Sequence, residues 1–202
     1  MSKHRLESFS DGVFAIVITL LILNVHLDHQ RELTLNVLGG LTPDIVAFVL
    51  SFIIVGVYWV SHHNMLHMIK MVDRRLLWLN LLLLLAIVFI PFPAGLLGQQ
   101  LWNPIAVATY GINLMVVNAL GTAMWLYAGS HSQLMVSGVS PAMVRFVARL
   151  HSTPILVYAV GILLAYWYIP VSMLLFAAVP AFFILPNPFL DRRLSRFDGA
   201  PQ

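Results

Sequence analysis

The stretch FSDGVFAIVITLLILNVHL, residues 9 to 27, decides the fold class of this protein. Its 19 residues contain one formal charge, that of Asp11. A bilayer core about 30 Å thick is crossed by about 20 apolar residues in a helix. We therefore predict that this stretch spans a membrane. No small-residue cleavage site follows it, so we expect the helix to be retained rather than removed as a signal peptide.

The composition of the whole chain agrees with a membrane protein. Of the 202 residues, 60% are hydrophobic and 9% are charged, whereas about 25% of residues are charged in an ordinary soluble domain. The chain has no cysteine, which excludes a disulfide-rich secreted module, a thiolate metal site and a cysteine nucleophile. The formal net charge is only +3, and the sequence gives little support for binding to nucleic acid.

Uncharged runs mark further spans along the chain. Residues 76 to 144 contain no charged side chain, and as one helix they would extend roughly 104 Å, so the chain must turn within them. Asn103 followed by Pro104 is typical of a helix start, and Pro170 interrupts the uncharged run from 150 to 190. We predict an all-α integral membrane protein with six transmembrane helices, at residues 9 to 27, 43 to 69, 74 to 98, 104 to 129, 141 to 169 and 170 to 188.

Lysines and arginines fall almost entirely on one side of this six-helix arrangement. Arg31 is alone on the opposite side. The other ten are Lys3, Arg5, Lys70, Arg74, Arg75, Arg145, Arg149, Arg192, Arg193 and Arg196. Because such residues concentrate in cytoplasmic loops, we expect both termini to be cytoplasmic. Residues 1 to 190 then form a single transmembrane domain, and residues 191 to 202 form a short cytoplasmic tail.

The first helix has two different faces. At about 100° per residue, one apolar stripe contains Ile16, Thr19, Leu20 and Leu23, and Ser10 and Asp11 lie roughly 120° to 140° away from it. An acid inside a membrane span is costly, which favours a partnered or functional role for Asp11. Ordinary helix packing remains the alternative for the stripe. The Thr19 hydroxyl has its own alternative, a hydrogen bond to the carbonyl of Ala15.

The order Arg5-x-x-x-Phe9-Ser10-Asp11 at the start of the first of six helices resembles the signature of the transmembrane protein 175 family. Members of that family are potassium-conducting channels of bacterial membranes and animal endolysosomes. Further positions at similar spacings are Trp59-x-x-His62, Asp73, Leu77, Asn80, Leu81 and Phe89-Ile90-Pro91. The resemblance therefore spans residues 5 to 91, and the three later helices match mainly by hydropathy and number.

The resemblance implies a homotetrameric channel in which the first helix of each subunit lines the pore. Its hydrophobic constriction falls on Ile16, with Thr19, Leu20 and Leu23 completing the narrow region. Consistent with this, the sequence has no Thr-Val-Gly-Tyr-Gly segment of the kind that forms a carbonyl selectivity filter. The implied function is passive, potassium-selective conduction across a bacterial plasma membrane, with potassium ions and the lipid bilayer as partners and with no cofactor.

The resemblance also implies a structural polar network behind the pore. In it, Ser10 and Asp11 are hydrogen-bonded to Arg5, His62 and Asn80, since a buried charge requires such partners. The complete set of positions assigned to this network is Arg5, Phe9, Ser10, Asp11, Trp59, His62 and Asn80.

Three other interpretations have a basis in the sequence. His63 and His67 share a helix face, but no cysteine or nearby acid completes a metal site, so we expect no bound metal and place both histidines at the membrane interface. Ser130-His131-Ser132 and His151-Ser152 have no evident orienting acid, so we expect no enzyme. The alternative function is a proton- or ion-coupled secondary transporter that uses Asp11 and Arg5 as a protonation switch. Against it, we find no second copy of the Phe-Ser-Asp helix.

Overall fold

The computed structural model describes residues 2 to 25 and 34 to 185, and these residues are folded into helices. Within the described ranges, Ile69 and Met135 form one isolated antiparallel β-bridge. The helices are α1 (Lys3–Leu20), α2 (Leu35–Gly40), α3 (Thr42–His67), α4 (Arg74–Val88), α5 (Pro91–Gln99), α6 (Pro104–Ser130), α7 (Pro141–Ala165) and α8 (Ile169–Ile184). A 3-10 turn (Leu21–Asn24) extends α1. The all-α class predicted from the sequence is confirmed.

Within the described residues, five helical segments are long and apolar enough to cross a membrane. They are Lys3–Asn24, Thr42–His67, Arg74–Gln99, Pro104–Ser130 and Pro141–Ala165. The sixth predicted span corresponds to α8, which has 16 described residues and is therefore about 24 Å long. Residues 26 and 27 of the first predicted helix and 186 to 188 of the last lie outside the described residues. So do Arg31 and the three arginines predicted for the carboxyl end.

Helix starts follow the local capping residues. The Asn103 side chain accepts a hydrogen bond from the Ile105 amide at 2.9 Å, and Pro104 occupies the first helical position of α6, as predicted. Ser140 caps α7 in the same way by accepting from the Met143 amide at 3.1 Å. A short polar side chain that satisfies a free amide sets where each helix begins.

Several predicted helices have different bounds in the structure; the second, predicted at 43 to 69, ends at His67. The third, predicted at 74 to 98, is interrupted between Val88 and Pro91, because proline supplies no amide hydrogen and its ring clashes with the preceding turn. The fifth, predicted to reach 169, ends at Ala165, and Ile169 already belongs to α8. The first helix starts six residues before the predicted position 9, at Lys3, where an ion pair to Glu7 at 3.5 Å supports the polar first turns.

The helices pack so that α1 lies at one side of the subunit. Its helix–helix contacts are mainly with α3 and α4, whereas α6 packs along α7 and α7 along α8. This arrangement leaves one side of α1 without a partner within the described chain. The position of α1 makes it the element whose free face requires an explanation.

Phe176 anchors α8 to the rest of the subunit. Its ring is fully buried and stacks edge-on against Tyr158 with centroids 5.5 Å apart. A Cβ placed on Gly161 would lie 2.5 Å from this ring, and one on Gly111 would lie 2.7 Å from it. The two glycines therefore form the notch that the ring occupies, and their lack of a side chain permits this close packing.

We expect Gly161→Ala to destabilise the subunit by about 1–3 kcal/mol, because the added methyl must displace Phe176. Thermal unfolding of purified protein in a mild detergent measures the change. Gly121→Ala is the matched control, since no atom lies within 4 Å of the Cβ it would add. Equal melting temperatures for the two variants would contradict the notch.

Candidate functional site

One face of α1 is buried inside the subunit. Its buried residues are Leu6, Ser10, Phe14, Val17 and, in the 3-10 turn, Leu21. Their spacing of three and four residues keeps them on one side of the helix. This side packs against α3 and α4. The buried face thus fixes the rotation of α1 about its own axis.

The apolar stripe predicted from the sequence lies on the other face. Ile16 is 60% exposed, Leu20 is 40% exposed and Leu23 is 63% exposed, and Thr19 is exposed as well. The stripe is therefore not packed within the subunit. Leu23 lies in the 3-10 turn, where the helix is wound more tightly than the 100° per residue assumed from the sequence.

The Thr19 hydroxyl donates a hydrogen bond to the carbonyl of Ile16 at 2.8 Å. This bond is local, as the alternative interpretation of Thr19 expected, but it reaches three residues back rather than four to Ala15. Because the hydrogen is used by the backbone, the lone pairs of the hydroxyl oxygen remain available on the exposed face.

Three buried polar side chains connect α1, α3 and α4. Asn80 on α4 donates through Nδ2 to the Ser10 oxygen at 3.2 Å, and its Oδ1 lies 2.7 Å from Nε2 of His62 on α3. Since the amide nitrogen of Asn80 is the donor to Ser10, its oxygen accepts from the Nε2–H of His62. All three side chains are buried. We call Ser10, His62 and Asn80 the three-helix network.

Asp11 belongs to a separate contact on the exposed side. Its Oδ1 accepts a hydrogen bond from the Trp59 indole at 2.9 Å, and the carboxylate itself is exposed in the subunit. The two neighbours in the Ser10-Asp11 pair therefore serve different contacts, one inside the subunit and one at its surface. The sequence grouped Trp59 with this region but did not reveal that its indole is the donor.

Arg5 and Phe9 are not joined to either contact. Arg5 is exposed, and no hydrogen bond or ion pair of its side chain occurs within residues 2 to 25 and 34 to 185. The structure therefore does not bring Arg5 together with Ser10, Asp11, His62 or Asn80 inside one subunit. Phe9 is 50% exposed and lies on the same helix face as Ile16, seven residues away.

The far end of the first span is held by Asn24. Its Nδ2 donates to the carbonyl of Pro91 at 2.7 Å, at the start of α5. A Cβ on Gly95 would lie 2.8 Å from the Asn24 oxygen, so the absence of a side chain there permits the contact. An asparagine within an apolar helix favours an interhelical hydrogen bond, but the sequence does not identify its partner.

Asp73 and Tyr127 form a polar contact that the sequence did not reveal. Asp73 caps α4 by accepting from the Leu76 amide at 2.8 Å, and the Tyr127 hydroxyl donates to its other oxygen. Desolvation raises the pKa of the Asp73 carboxyl, but the hydrogen bonds from Tyr127 and the Leu76 amide outweigh it and hold the pKa below its ordinary value. This contact ties the start of α4 to the end of α6.

Histidines and serines that the sequence analysis considered for a metal site or an enzyme make local contacts in the structure. His63 and His67 are exposed, and their Nε2 atoms lie 3.0 Å apart. Within the described ranges, no group of three or more His, Cys, Asp or Glu side chains is placed to hold a metal ion. The Ser130 hydroxyl donates to the carbonyl of Tyr127 at 2.8 Å and lies 2.9 Å from Nδ1 of His131.

Removing the central amide of the three-helix network tests its structural contribution. We expect Asn80→Ala to lower the free energy of unfolding by about 1–3 kcal/mol or more, because it leaves Ser10 and His62 buried without their partner. Unfolding in detergent measures the effect. Asn64→Ala, at an exposed position on α3, is the control, and the network would be refuted if both variants lost the same small amount.

The Asp73 contact predicts a dependence of stability on pH. A carboxyl whose pKa is lower in the folded state stabilises the fold above its ordinary pKa of about 3.9 and loses that contribution as the pH falls through the folded-state value. We expect Tyr127→Phe to lower the melting temperature at pH 7, and the difference from wild type to shrink at about pH 3. A difference that stays constant over this range would contradict the role of Asp73. Tyr166→Phe, at an exposed tyrosine, is the control.

Comparisons with known proteins identify the family. Residues 5–91 match the family model described as endosomal/lysosomal potassium channel TMEM175. A Streptomyces collinus protein named as a potassium channel is 38% identical over 128 residues, which cover 60% of this chain and 62% of that relative. A Chamaesiphon minutus protein, also named as a potassium channel, is 33% identical over 138 residues, which cover 65% of this chain and 68% of the relative.

A solved structure supports the same assignment. The crystal structure of a lysosomal potassium-selective channel TMEM175 homolog from Chamaesiphon minutus superimposes with a TM-score of 0.78 at 26% sequence identity. The match covers 90% of this chain and 95% of the other. The residues of the exposed stripe and of the three-helix network all lie within the segment matched by the family model. The chain belongs to the TMEM175 family.

Proposed function

We propose that this protein is a passive, potassium-selective channel formed by four copies of the chain around a central pore. The relatives named as potassium channels and the solved channel structure support the function. Each subunit contributes six transmembrane helices, with α8 as the sixth. Residues 1 to 190 form the channel domain, residues 191 to 202 form a cytoplasmic tail, and both termini face the cytoplasm of a bacterium whose plasma membrane holds the channel.

The observation that carries the proposal is the exposed stripe on α1. Ile16, Leu20 and Leu23 are apolar residues with 40% to 63% of their surface exposed, on a helix whose opposite face is packed. Apolar exposure alone is compatible with contact to lipid. The carboxylate of Asp11, however, is exposed within the same span, and a charge facing acyl chains is costly. The free side of α1 is therefore better suited to neighbouring subunits and a water-filled passage.

The proposed neck consists of four copies of this stripe. A ring of Ile16 side chains forms a narrow apolar section, which controls conduction by excluding water and requires an ion to shed part of its hydration shell. One turn further along, the Thr19 oxygens retain their lone pairs, because their hydrogens are bonded to the Ile16 carbonyls. They supply oxygen contacts next to the dehydrating ring. In this account, potassium preference comes from ring diameter and dehydration cost.

The polar contacts behind the stripe have a positioning role in this proposal. The three-helix network, Ser10, His62 and Asn80, sets the rotation of α1, so that Ile16 and Thr19 face the axis. The contact between Asp11 and Trp59 lies at the edge of the exposed face. Phe9 and Arg5 are exposed on the same helix, and we assign them to contacts between subunits. In this account, no residue of the chain has a catalytic role.

Planar-bilayer recording of purified protein tests the position of the neck. We expect Ile16→Ala, which widens the ring, and Ile16→Asn, which wets it, to raise the unitary potassium conductance or to weaken the preference over sodium. The matched control is Ile112→Ala, since Ile112 is 54% exposed but lies on α6.

Three results would overturn parts of the proposal. Unaltered unitary currents in both Ile16 variants would place the constriction elsewhere. Saturable flux coupled to a second ion, without unitary current steps, would indicate a secondary transporter. A stoichiometry other than four chains in native mass spectrometry would contradict the tetramer.

A further inference from the structure

Two loops that follow α3 and α6 pair with each other at one end of the helices. The Lys70 amide donates to the carbonyl of Leu134 at 2.7 Å, and the Val136 amide donates to the carbonyl of Met68 at 3.0 Å. The resulting bridge, between Ile69 and Met135, joins the two loops. These segments therefore have a defined conformation, and a side chain on one loop has a defined position relative to the other.

The paired loops line a cavity of about 600 Å³ that is open to the surface. Its lining includes one cationic side chain, two serine hydroxyls and two glycines, and it includes no acidic side chain. The apolar part continues onto the first turn of α7. The residues used here are Lys70, Ser132, Ser137, Gly138, Val139 and Val144. A lining with a cation and hydrogen-bond donors but no carboxylate suits an anion.

The surface around this cavity is rich in positive charge. Five exposed cationic residues lie at this end of the helices: Lys70, Arg74, Arg75, Arg145 and Arg149. The only acid in residues 68 to 75 and 130 to 150 is Asp73, whose carboxylate is bonded to Tyr127 and to the Leu76 amide. The single ion pair found in the described part of the chain joins Lys3 to Glu7 instead. None of these five cations forms an ion pair within residues 2 to 25 and 34 to 185.

We propose that this cavity binds the phosphate of an anionic phospholipid. Lys70 is the principal cationic contact, the hydroxyls of Ser132 and Ser137 donate hydrogen bonds to phosphate oxygens, and Arg145 strengthens the local positive potential. Val139 and Val144 contact the apolar part of the lipid beside the headgroup.

Location favours a lipid over a free anion as the source of the phosphate. The cavity lies where the spans Thr42–His67 and Pro104–Ser130 end and Pro141–Ala165 begins, which is the level of the lipid headgroups. Basic pockets between transmembrane helices at this level are suited to anionic headgroups. The proposal does not depend on conduction through the central pore.

Lipid titration of the purified protein tests the proposal. Native mass spectrometry counts phosphatidylglycerol bound per subunit, with phosphatidylcholine of the same acyl chains as the neutral comparison. We expect tighter binding of phosphatidylglycerol, and about a fivefold loss of affinity in Lys70→Gln, since one lysine near an anionic surface contributes about that factor. Ser132→Ala combined with Ser137→Ala removes donors without changing charge and should also weaken binding.

Lys3→Gln is the charge control, because it removes one positive charge at a residue that does not line the cavity. It also removes the ion pair with Glu7, and its melting temperature shows the effect of that loss. Equal weakening by Lys3→Gln and Lys70→Gln would show diffuse attraction and overturn the site. Competition by inorganic phosphate at the same concentration as the lipid would indicate a soluble anion and overturn the lipid assignment. Equal affinity for phosphatidylglycerol and phosphatidylcholine would also refute it. Melting temperatures measured without lipid establish that each variant is folded.

Discussion

The orientation of α1 depends on its buried face, where the amide of Asn80 makes a polar contact between three helices. A polar side chain in a membrane span needs partners, because the surrounding hydrocarbon supplies none. Asn80 finds them on two other helices, Ser10 on α1 and His62 on α3. The hydrogen bonds are satisfied only in one rotation of α1, and that rotation leaves Ile16, Thr19, Leu20 and Leu23 on the free face. A contact on the inner side of α1 therefore determines what its outer side presents.

The same logic separates the two polar neighbours at the start of α1. Ser10 points into the subunit and is neutral, so burial requires only a hydrogen bond. Asp11 is one residue further around the helix, carries a charge and remains at the surface, where the Trp59 indole is its partner. Burial of an unpaired carboxylate would cost far more than burial of a hydroxyl. Adjacent residues in one motif thus have distinct physical roles.

The opposite ends of the helices are organised by different means. At the end of the first span, the Asn24 side chain donates a hydrogen bond to the Pro91 carbonyl and lies against Gly95. Pro91 is also where α5 begins after the break that separates it from α4. At the basic end, backbone pairing between Ile69 and Met135 and the contact of Asp73 with Tyr127 hold the connections together. None of these contacts involves the exposed residues Ile16, Thr19, Leu20 and Leu23.

The sequence alone was sufficient for the helical class and for several helix starts. Hydrophobic length and capping residues act over a few neighbouring positions, so Asn103 with Pro104 marked the start of α6 correctly. The interruption before Pro91 was not predicted, and the fifth helix was predicted to end at 169 instead of Ala165, because apolar composition continues through both places. The amphipathic pattern also identified the stripe on α1.

Only the tertiary structure decided that Asn80 bridges to Ser10, 70 residues away, that Trp59 is the donor to Asp11, and that Arg5 stays outside the network. Such contacts depend on how three helices pack, and local sequence patterns do not predict which residues far apart in the chain come into contact.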